Sequence, residues 1–158
     1  MVTIIAPHAS DEQFEIFSRY LRARHNGGGM TQMNEEDYQD MIEDTSVSTS
    51  VIEYRLPGKT KDEDRLVAVS LSDNMNDGYS MVYSFFDPDL KNRSLGNFMV
   101  LDHIERARQA NLDFVYLGYL VEGSAKMGYK SQFRPLQIQS ASSGWIDYKT
   151  VDTANTQR

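Results

Sequence analysis

Two clusters of basic side chains have the spacing that most directly suggests chemistry. In the first, Lys126 and Lys130 are four positions apart and Tyr129 lies between them, so on a helical turn both ammonium groups would face the same side. Neighbouring ammonium groups repel each other, and a shared anion would explain the pair. The alternative is a surface turn with two solvated lysines.

The second cluster contains Arg22, Arg24 and His25, which precede the glycines at positions 27–29. Cations at the end of a helix complement its dipole, which is the structural interpretation. Glycine lets a backbone approach a ligand closely, so anion recognition around Gly28 is the functional one. The His25 imidazole has an ordinary pKa of about 6.5, which suits a base, although a single histidine is more often structural.

The composition excludes several classes of site. The chain has 158 residues, of which 40% are apolar and none is cysteine. It therefore has the length of one domain with a buried core, and it has no disulfide, cysteine nucleophile or thiolate metal site. The net charge of −7 argues against coating nucleic acid by bulk charge, but allows a small basic site. Without a long apolar run or a signal peptide, we expect a cytoplasmic protein that does not enter a membrane.

These side chains must be positioned by helices whose ends the sequence indicates. Ser10 and Gln13 fit a capping box for a helix that ends near His25, and Asn34 caps a second helix. A third helix runs from Ser94 to residue 110. Its apolar side chains are predicted to face inward, namely Leu95, Phe98, Leu101 and Ile104.

Short apolar segments predict a sheet with strands at Val51–Leu56, Arg65–Leu71, Tyr79–Phe86, Phe114–Leu120 and Leu136–Gln139. Phe114–Leu120 is apolar almost throughout, which predicts the centre of a sheet covered on both faces. Ser124–Phe133 reads as a short helix or loop, and Trp145 as a cover for an edge of the core. Residues 149–158 contain almost no apolar side chain and are predicted to be frayed.

This order of elements resembles the GNAT acyltransferase fold, an α/β (α+β) fold with a mixed central sheet and helices on both faces. In that fold the central strands splay, an acyl donor enters the gap, and its polar part meets a helix N-terminus. The resemblance assigns this role to Ser94, Leu95 and Gly96, although Ser94 could equally be a plain helix cap. Phe98 replaces a small residue of the usual pyrophosphate loop, which argues against coenzyme A as the donor.

Six stretches give a closer resemblance, to the C-terminal catalytic region of the leucyl/arginyl-tRNA–protein transferases. They are Tyr20–His25 followed by Gly27–Met30, Ala68–Asp73, Ser80–Pro88, Arg93–Gly96, Tyr116–Tyr119, and Lys126–Lys130 with Phe133–Pro135. The bacterial branch, which transfers leucine to N-terminal Asp or Glu, is most similar, especially in the RARHNGGGM stretch. Family members usually begin with a cysteine-containing module. We therefore expect a truncated protein with one catalytic domain, residues 1–148, and a flexible tail.

The resemblance implies an aminoacyltransferase that uses leucyl-tRNA and a protein with N-terminal Asp or Glu, which it marks for degradation. The protein's α-amine attacks the ester that joins the amino acid to tRNA. Because this ester is already activated, the reaction needs no covalent intermediate, metal or other cofactor. The enzyme must position both reactants, accept a proton and stabilise an oxyanion.

The resemblance also suggests individual roles. Asp73 would hold the incoming ammonium or accept its proton; the alternative is an Asx-turn residue. Tyr83 and Tyr119 would line the gap, stacking on the terminal adenine or donating to the oxyanion; the alternative is core packing. Lys126, Tyr129 and Lys130 would bind tRNA phosphate or the acidic side chain of the acceptor.

Three other functions stay open on the sequence alone. The chain could transfer arginine, because the arginyl enzymes share several of the same stretches. It could be a coenzyme A-dependent N-acetyltransferase. It could also be a truncated domain that binds peptide N-termini and transfers nothing.

Overall fold

The chain forms two compact units, Met1–Gly118 and Tyr119–Arg158, and each is described by itself. The structure is a computed structural model that describes residues 1–24, 32–60, 63–121, 127–140 and 144–148. The predicted frayed tail therefore lies outside the described residues. None of the helices in the described ranges is long and apolar enough to cross a membrane.

The first unit is built around one five-stranded sheet in the order β1-β2-β3-β4-β5. The first four strands are antiparallel, whereas β5 runs parallel to β4. A 3-10 helix, Pro88–Arg93, connects β4 to the third α-helix. In chain order the other elements are β1 (Val2–Ile5), α1 (Asp11–Arg24), α2 (Glu35–Glu43), β2 (Thr49–Leu56), β3 (Arg65–Asn74), β4 (Gly78–Phe86), α3 (Leu95–Gln109) and β5 (Phe114–Tyr116).

Helices cover both faces of this sheet, as predicted. On one face, Phe17 of α1 and Ile42 of α2 are buried against apolar side chains of β3 and β4. On the other face, Met99 of α3 packs against Ile52 and Ala68. The mixed sheet between two helical layers confirms the predicted α/β (α+β) class.

The start of α1 differs from the predicted capping box. The Ser10 hydroxyl accepts a hydrogen bond from the Gln13 amide at 3.3 Å, which is the first half of the box. The Gln13 side chain does not return to Ser10. It is buried, donates to Glu53 at 2.9 Å and accepts from the Tyr38 hydroxyl at 3.0 Å. The predicted second helix does begin after Asn34, whose side chain accepts from the Asp37 amide.

The predicted orientation of α3 is wrong at three of four positions. Leu95 is buried as expected, but Phe98, Leu101 and Ile104 are 47%, 55% and 41% exposed. The side chains that α3 buries are Leu95, Met99, Val100, His103 and Ala107. A polar residue, His103, occupies the centre of the buried face, so a search for the most apolar stripe selects the wrong side of the helix.

The predicted central strand is also wrong, because β5 is a three-residue edge strand. Its first residue, Phe114, is exposed. A run of apolar residues cannot distinguish a central strand from a short edge strand, since both need only local apolar packing. Strand β1, at the other edge, has no counterpart in the sequence-based assignment.

The second unit contains an antiparallel pair, β6 (Gln137–Ser140) and β7 (Gly144–Asp147), and a 3-10 helix, Gly128–Gln132. Strand β6 and the short helix agree with the sequence-based assignment, whereas β7 was not predicted. Trp145 lies within β7 and is 54% exposed. Its predicted place at an edge of the core stays a prediction.

Candidate active site

The candidate site lies where the strands β4 and β5 stop pairing with each other, here called the fork. The two strands pair only at Gly78–Phe114, Tyr79–Val115 and Ser80–Tyr116. Beyond Ser80, β4 continues for six more residues without a described partner on this side. Backbone groups along this stretch are therefore available to a ligand that enters between the strands.

A β-bulge beside the fork sets the direction of Tyr83. The register passes from Leu71–Tyr83 to Ser72–Met81, so Val82 is the extra residue. Without the bulge, Ser80 and Tyr83 would point to opposite faces, because side chains alternate along a strand. With it, Ser80 and Tyr83 lie opposite Asp73 and Leu71, which share one face. The fold thus brings Asp73 and Tyr83 to the same face as diagonal neighbours, about 7 Å apart.

The Asp73 side chain is held in place by a residue of the neighbouring strand β2. Thr49, its partner on β2, donates from Oγ1 to Asp73 Oδ1 at 2.6 Å. No described residue donates to Asp73 Oδ2, and the turn that follows is closed by backbone hydrogen bonds. The Asx-turn alternative is therefore not formed, and one carboxylate oxygen is available to a ligand.

Tyr83 lies on the α1 side of the sheet, half-buried against Phe17, with the ring centroids 6.0 Å apart. Burial, and next the nearby Tyr20, raise the pKa of the Tyr83 hydroxyl to about 12. At neutral pH the hydroxyl therefore keeps its proton. It can donate a hydrogen bond to an oxyanion, and it is a poor candidate for a base.

The first turn of α3 follows the 3-10 helix, and the amides of Leu95 and Gly96 make no hydrogen bond to another described residue. Ser94 precedes the helix in the left-handed conformation, with φ of 50°. Its side chain makes no capping hydrogen bond within the described residues, so the plain N-cap alternative is not formed. A non-glycine residue in this conformation is strained, and such strain is common where a backbone is shaped for a ligand.

Arg24 reaches the same end of β4 from α1. Its guanidinium carbon lies 5.5 Å from the centroid of Phe86, and Arg24 also donates to the Tyr20 hydroxyl at 3.2 Å. Phe86 in turn approaches the first turn of α3, since a β-carbon at Gly96 would lie 3.5 Å from its ring. A cation and a helix N-terminus therefore flank one aromatic ring, which is an arrangement suited to an anion.

Two further cations precede this helix: Lys91, which was not singled out from the sequence, and Arg93, which begins one of the matched stretches but was given no role. Lys91 and Arg93 are exposed in the last turn of the 3-10 helix before Ser94. Their signal was present in the chain, because 91–96 contains two bases and no acid. Phe86 was also missed, because a strand-end phenylalanine is ordinarily assigned to the core.

A buried carboxylate anchors this loop. Asp87, which follows β4, accepts hydrogen bonds from Arg19 of α1 at 2.7 Å and from Arg65 of β3. It also accepts from the Asp89 amide at 3.0 Å, at the start of the 3-10 helix. Three elements are thereby tied to the point where the chain turns toward Ser94.

The other predicted residues fall in three groups. Arg22 is exposed on α1. In the second unit, Lys130 donates to the backbone oxygen of Tyr119 at 3.0 Å, burial lowers the pKa of Lys130, and Tyr129 is half-buried in the same short helix. The remaining three, His25, Gly28 and Lys126, lie outside the described residues.

Two expectations about ligands can be compared with this geometry. Among the described residues, no group of three metal-ligating side chains could hold a metal ion. The Phe98 ring lies against Tyr54 of β2, with centroids 5.7 Å apart. The ring therefore points toward the sheet on the α3 side. In this position it does not produce the expected obstruction of a pyrophosphate at the start of α3.

Comparison with known proteins identifies the family. Residues 12–140 match the family model described as "Arginine-tRNA-protein transferase, C terminus". The chain belongs to this family. The family resemblance seen in the six sequence stretches is thereby confirmed.

Bacterial relatives within the family carry a more specific name. A protein named "Aspartate/glutamate leucyltransferase" from Allorhizobium ampelinum is 54% identical over 150 residues, covering 93% of this chain and 59% of the relative. One with the same name from Agrobacterium fabrum is 52% identical over 153 residues, covering 94% of this chain and 60% of the relative. The chain thus spans about 60% of the length of these relatives.

Solved structures support the fold. A ribosomal-protein-alanine N-acetyltransferase from Brucella melitensis biovar Abortus 2308 superimposes with a TM-score of 0.59 at 10% identity. The match covers 94% of this chain and 97% of that one. At this identity the likeness concerns the fold alone, and it confirms the predicted GNAT-like architecture.

Proposed function

We propose that this protein transfers leucine from leucyl-tRNA to the N-terminal Asp or Glu of acceptor proteins, marking them for degradation. The observation that carries the proposal is the group of Arg24, Phe86 and Gly96 at the open end of the β4–β5 fork, in a chain of this family. An acyl donor with an anionic handle fits an apolar gap that ends in a cation and helix amides.

The donor's handle in this proposal is phosphate near the 3′ end of tRNA. Amides of Leu95 and Gly96 bind it, with the charge of Arg24 nearby. Phosphate contacts position a nucleic acid without reading its sequence, which suits an enzyme that accepts the common end of tRNA. Lys130 and Tyr129, together with Lys126, are proposed to contact further phosphates or the acidic side chain of the acceptor.

Asp73 is proposed to receive the acceptor. Its available oxygen binds the α-ammonium of the acceptor protein and takes a proton from it, so that the amine's lone pair is free. The amine nitrogen then attacks the ester carbonyl carbon. A new carbon–nitrogen bond forms while the carbonyl oxygen becomes an oxyanion.

Tyr83, whose hydroxyl stays protonated, is proposed to donate a hydrogen bond to that oxyanion. As the intermediate collapses, the carbon–oxygen bond to the ribose breaks and the ribose oxygen takes up a proton. The products are a protein one residue longer and an uncharged tRNA. No step requires a metal or a redox cofactor in this scheme, because the ester supplies the driving force.

A direct assay tests the proposal. The chain is incubated with radiolabelled leucyl-tRNA or arginyl-tRNA, and with peptides that begin with Asp, Glu, Lys or Ala. We expect label on the Asp and Glu peptides from leucyl-tRNA alone. Transfer from arginyl-tRNA would assign the other donor, and no transfer from either, with peptide binding retained, would indicate a domain that only binds N-termini.

N-acetylation from acetyl-coenzyme A is a competing function, because proteins with this fold include N-acetyltransferases. The same peptides are incubated with radiolabelled acetyl-coenzyme A. Acetylation in place of aminoacylation would replace the proposal. If the fork does not admit coenzyme A, we expect no label on the peptides in the assay with acetyl-coenzyme A.

A further inference from the structure

The exposed side of α3 carries a row of apolar side chains, Phe98, Leu101 and Ile104, here called the outer ridge, and Phe98 at one end of it also contacts Tyr54 of β2. Residues three apart are neighbours on a helix surface, so the row is continuous. All three are exposed, although the opposite side of α3 is buried against the sheet. Apolar side chains on two opposite faces are typical of a helix that is covered on both sides.

The neighbouring edge strand extends this apolar surface. Val2 and Ile4 are exposed, and they pair with Tyr54 and Ile52, which pack in the core beneath α3. Because directly paired residues share a face, Val2 and Ile4 lie on the same side of the sheet as α3. The Met1 amine donates to the Arg55 oxygen at 2.8 Å. Any segment joined ahead of Met1 would therefore start beside this surface.

The relatives contain a segment that could cover it. About two fifths of each of the two relatives lies outside the match. The family model that matches this chain describes a C terminus, which implies that full-length members have a segment ahead of the matched one.

We propose that the outer ridge, with Val2 and Ile4, is the surface on which this N-terminal segment packs. The segment explains two observations together: an apolar pattern on α3 that the fold of Met1–Gly118 leaves exposed, and the position of β1 next to it. A second copy of the chain would explain the apolar pattern but not its adjacency to the first strand.

Thiol labelling tests the proposal, because this chain has no cysteine of its own. Leu101→Cys and Ile104→Cys are introduced singly into this chain and at the aligned positions of the full-length Allorhizobium ampelinum protein. Each folded protein is treated with a maleimide, and the rate at which the peptide containing the new cysteine becomes modified is measured by mass spectrometry. Val47→Cys, at an equally exposed apolar position between α2 and β2, is the matched control.

We expect the thiols at 101 and 104 to react at least tenfold more slowly in the full-length relative than in this chain, and the thiol at 47 to react equally in both. Equal rates at 101 and 104 in the two proteins would overturn the proposal. So would labelling of this chain that slows as its concentration rises, since a second copy would then cover the ridge.

Discussion

At the scale of single residues, Asp73 depends on its neighbours for its position. The Thr49 hydroxyl occupies one carboxylate oxygen, and the bulge at Val82 turns Tyr83 to the same face. Neither feature requires a motif of its own. A cross-strand partner and one extra residue in a strand are enough to bring an acid and a hydroxyl together.

Asp73→Asn tests the carboxylate. Asparagine keeps the shape and the Thr49 contact but cannot take a proton, so we expect the transfer rate to fall about a hundredfold with stability nearly unchanged. Asp77→Asn is the control, because Asp77 is an exposed acid in the adjoining turn whose contact is the Tyr116 hydroxyl. Normal transfer by Asp73→Asn would remove Asp73 from the site.

Asp87 has a structural role that a second pair of variants isolates. Asp87→Asn leaves the charges of Arg19 and Arg65 without their buried partner, so we expect unfolding free energy to fall by about 2 kcal/mol. Asp89→Asn changes an acid that contacts the same Arg19 but is 78% exposed, and should cost less than about 0.5 kcal/mol. Urea unfolding measures both, and equal effects would contradict the anchoring role.

At the scale of elements, the junction of β4 and α3 brings together the groups proposed to bind the donor. Strand β4 ends at Phe86, and the chain then turns at Asp87, whose carboxylate is bound by Arg19. Helix α3 begins after Ser94, which is in the strained left-handed conformation. Cations from α1 and from the 3-10 helix adjoin the same turn. The fork alone would leave a gap, and the helix start makes one end of it suitable for an anion.

Gly96→Ala should change the binding of the donor without lowering the stability of the fold. A β-carbon at this position makes only ordinary contact with Phe86, and alanine favours a helix by about 0.5–1 kcal/mol over glycine. We expect equal or higher stability, but a KM for leucyl-tRNA raised about tenfold, since the methyl group occupies space used by the phosphate. The KM for the acceptor peptide should not change. An unchanged KM for tRNA would place the donor elsewhere.

The sequence predicts elements well where local signals agree. The cap at Asn34 and the strands around Val69 and Tyr83 follow from capping and alternation, and the class of fold follows from the resemblance of their order to the GNAT fold. The facing of α3 does not, because the position of the helix against the sheet decides it, and a buried His103 has no apolar signal. The grouping of Arg24 with Gly96 likewise depends on how α1 docks against the end of β4.

At the scale of the whole molecule, the net charge of −7 makes local placement of cations important. In the proposed function, exposed acids elsewhere would repel tRNA phosphate, so binding would depend on a few positive groups and should weaken steeply with salt. Arg93→Ala should lower the slope of log affinity against log salt by about one unit if Arg93 contacts a phosphate. An unchanged slope, measured by filter binding, would exclude that contact.

The stability of the fold should depend on pH through His103. Burial lowers the pKa of this imidazole below its ordinary value of 6.5. As the pH falls through 6.5, the unfolded chain therefore takes up the proton first. Stability declines from about pH 7 and levels off below the folded-state pKa.

Urea midpoints between pH 7 and 5 measure this dependence. His103→Gln should reduce the decline, because it removes the buried imidazole. An identical decline in wild type and His103→Gln would assign the pH dependence to other groups.

The three residue pairs that join β5 to β4 also have a dynamic consequence. So short a ladder can open without disturbing the four antiparallel strands, whose hydrogen bonds are far more numerous. Amide protons of β5 should exchange with deuterium faster than those of β3. The width of the gap would then adjust to a bound acyl group at little energetic cost, while the wall formed by β4 stays fixed.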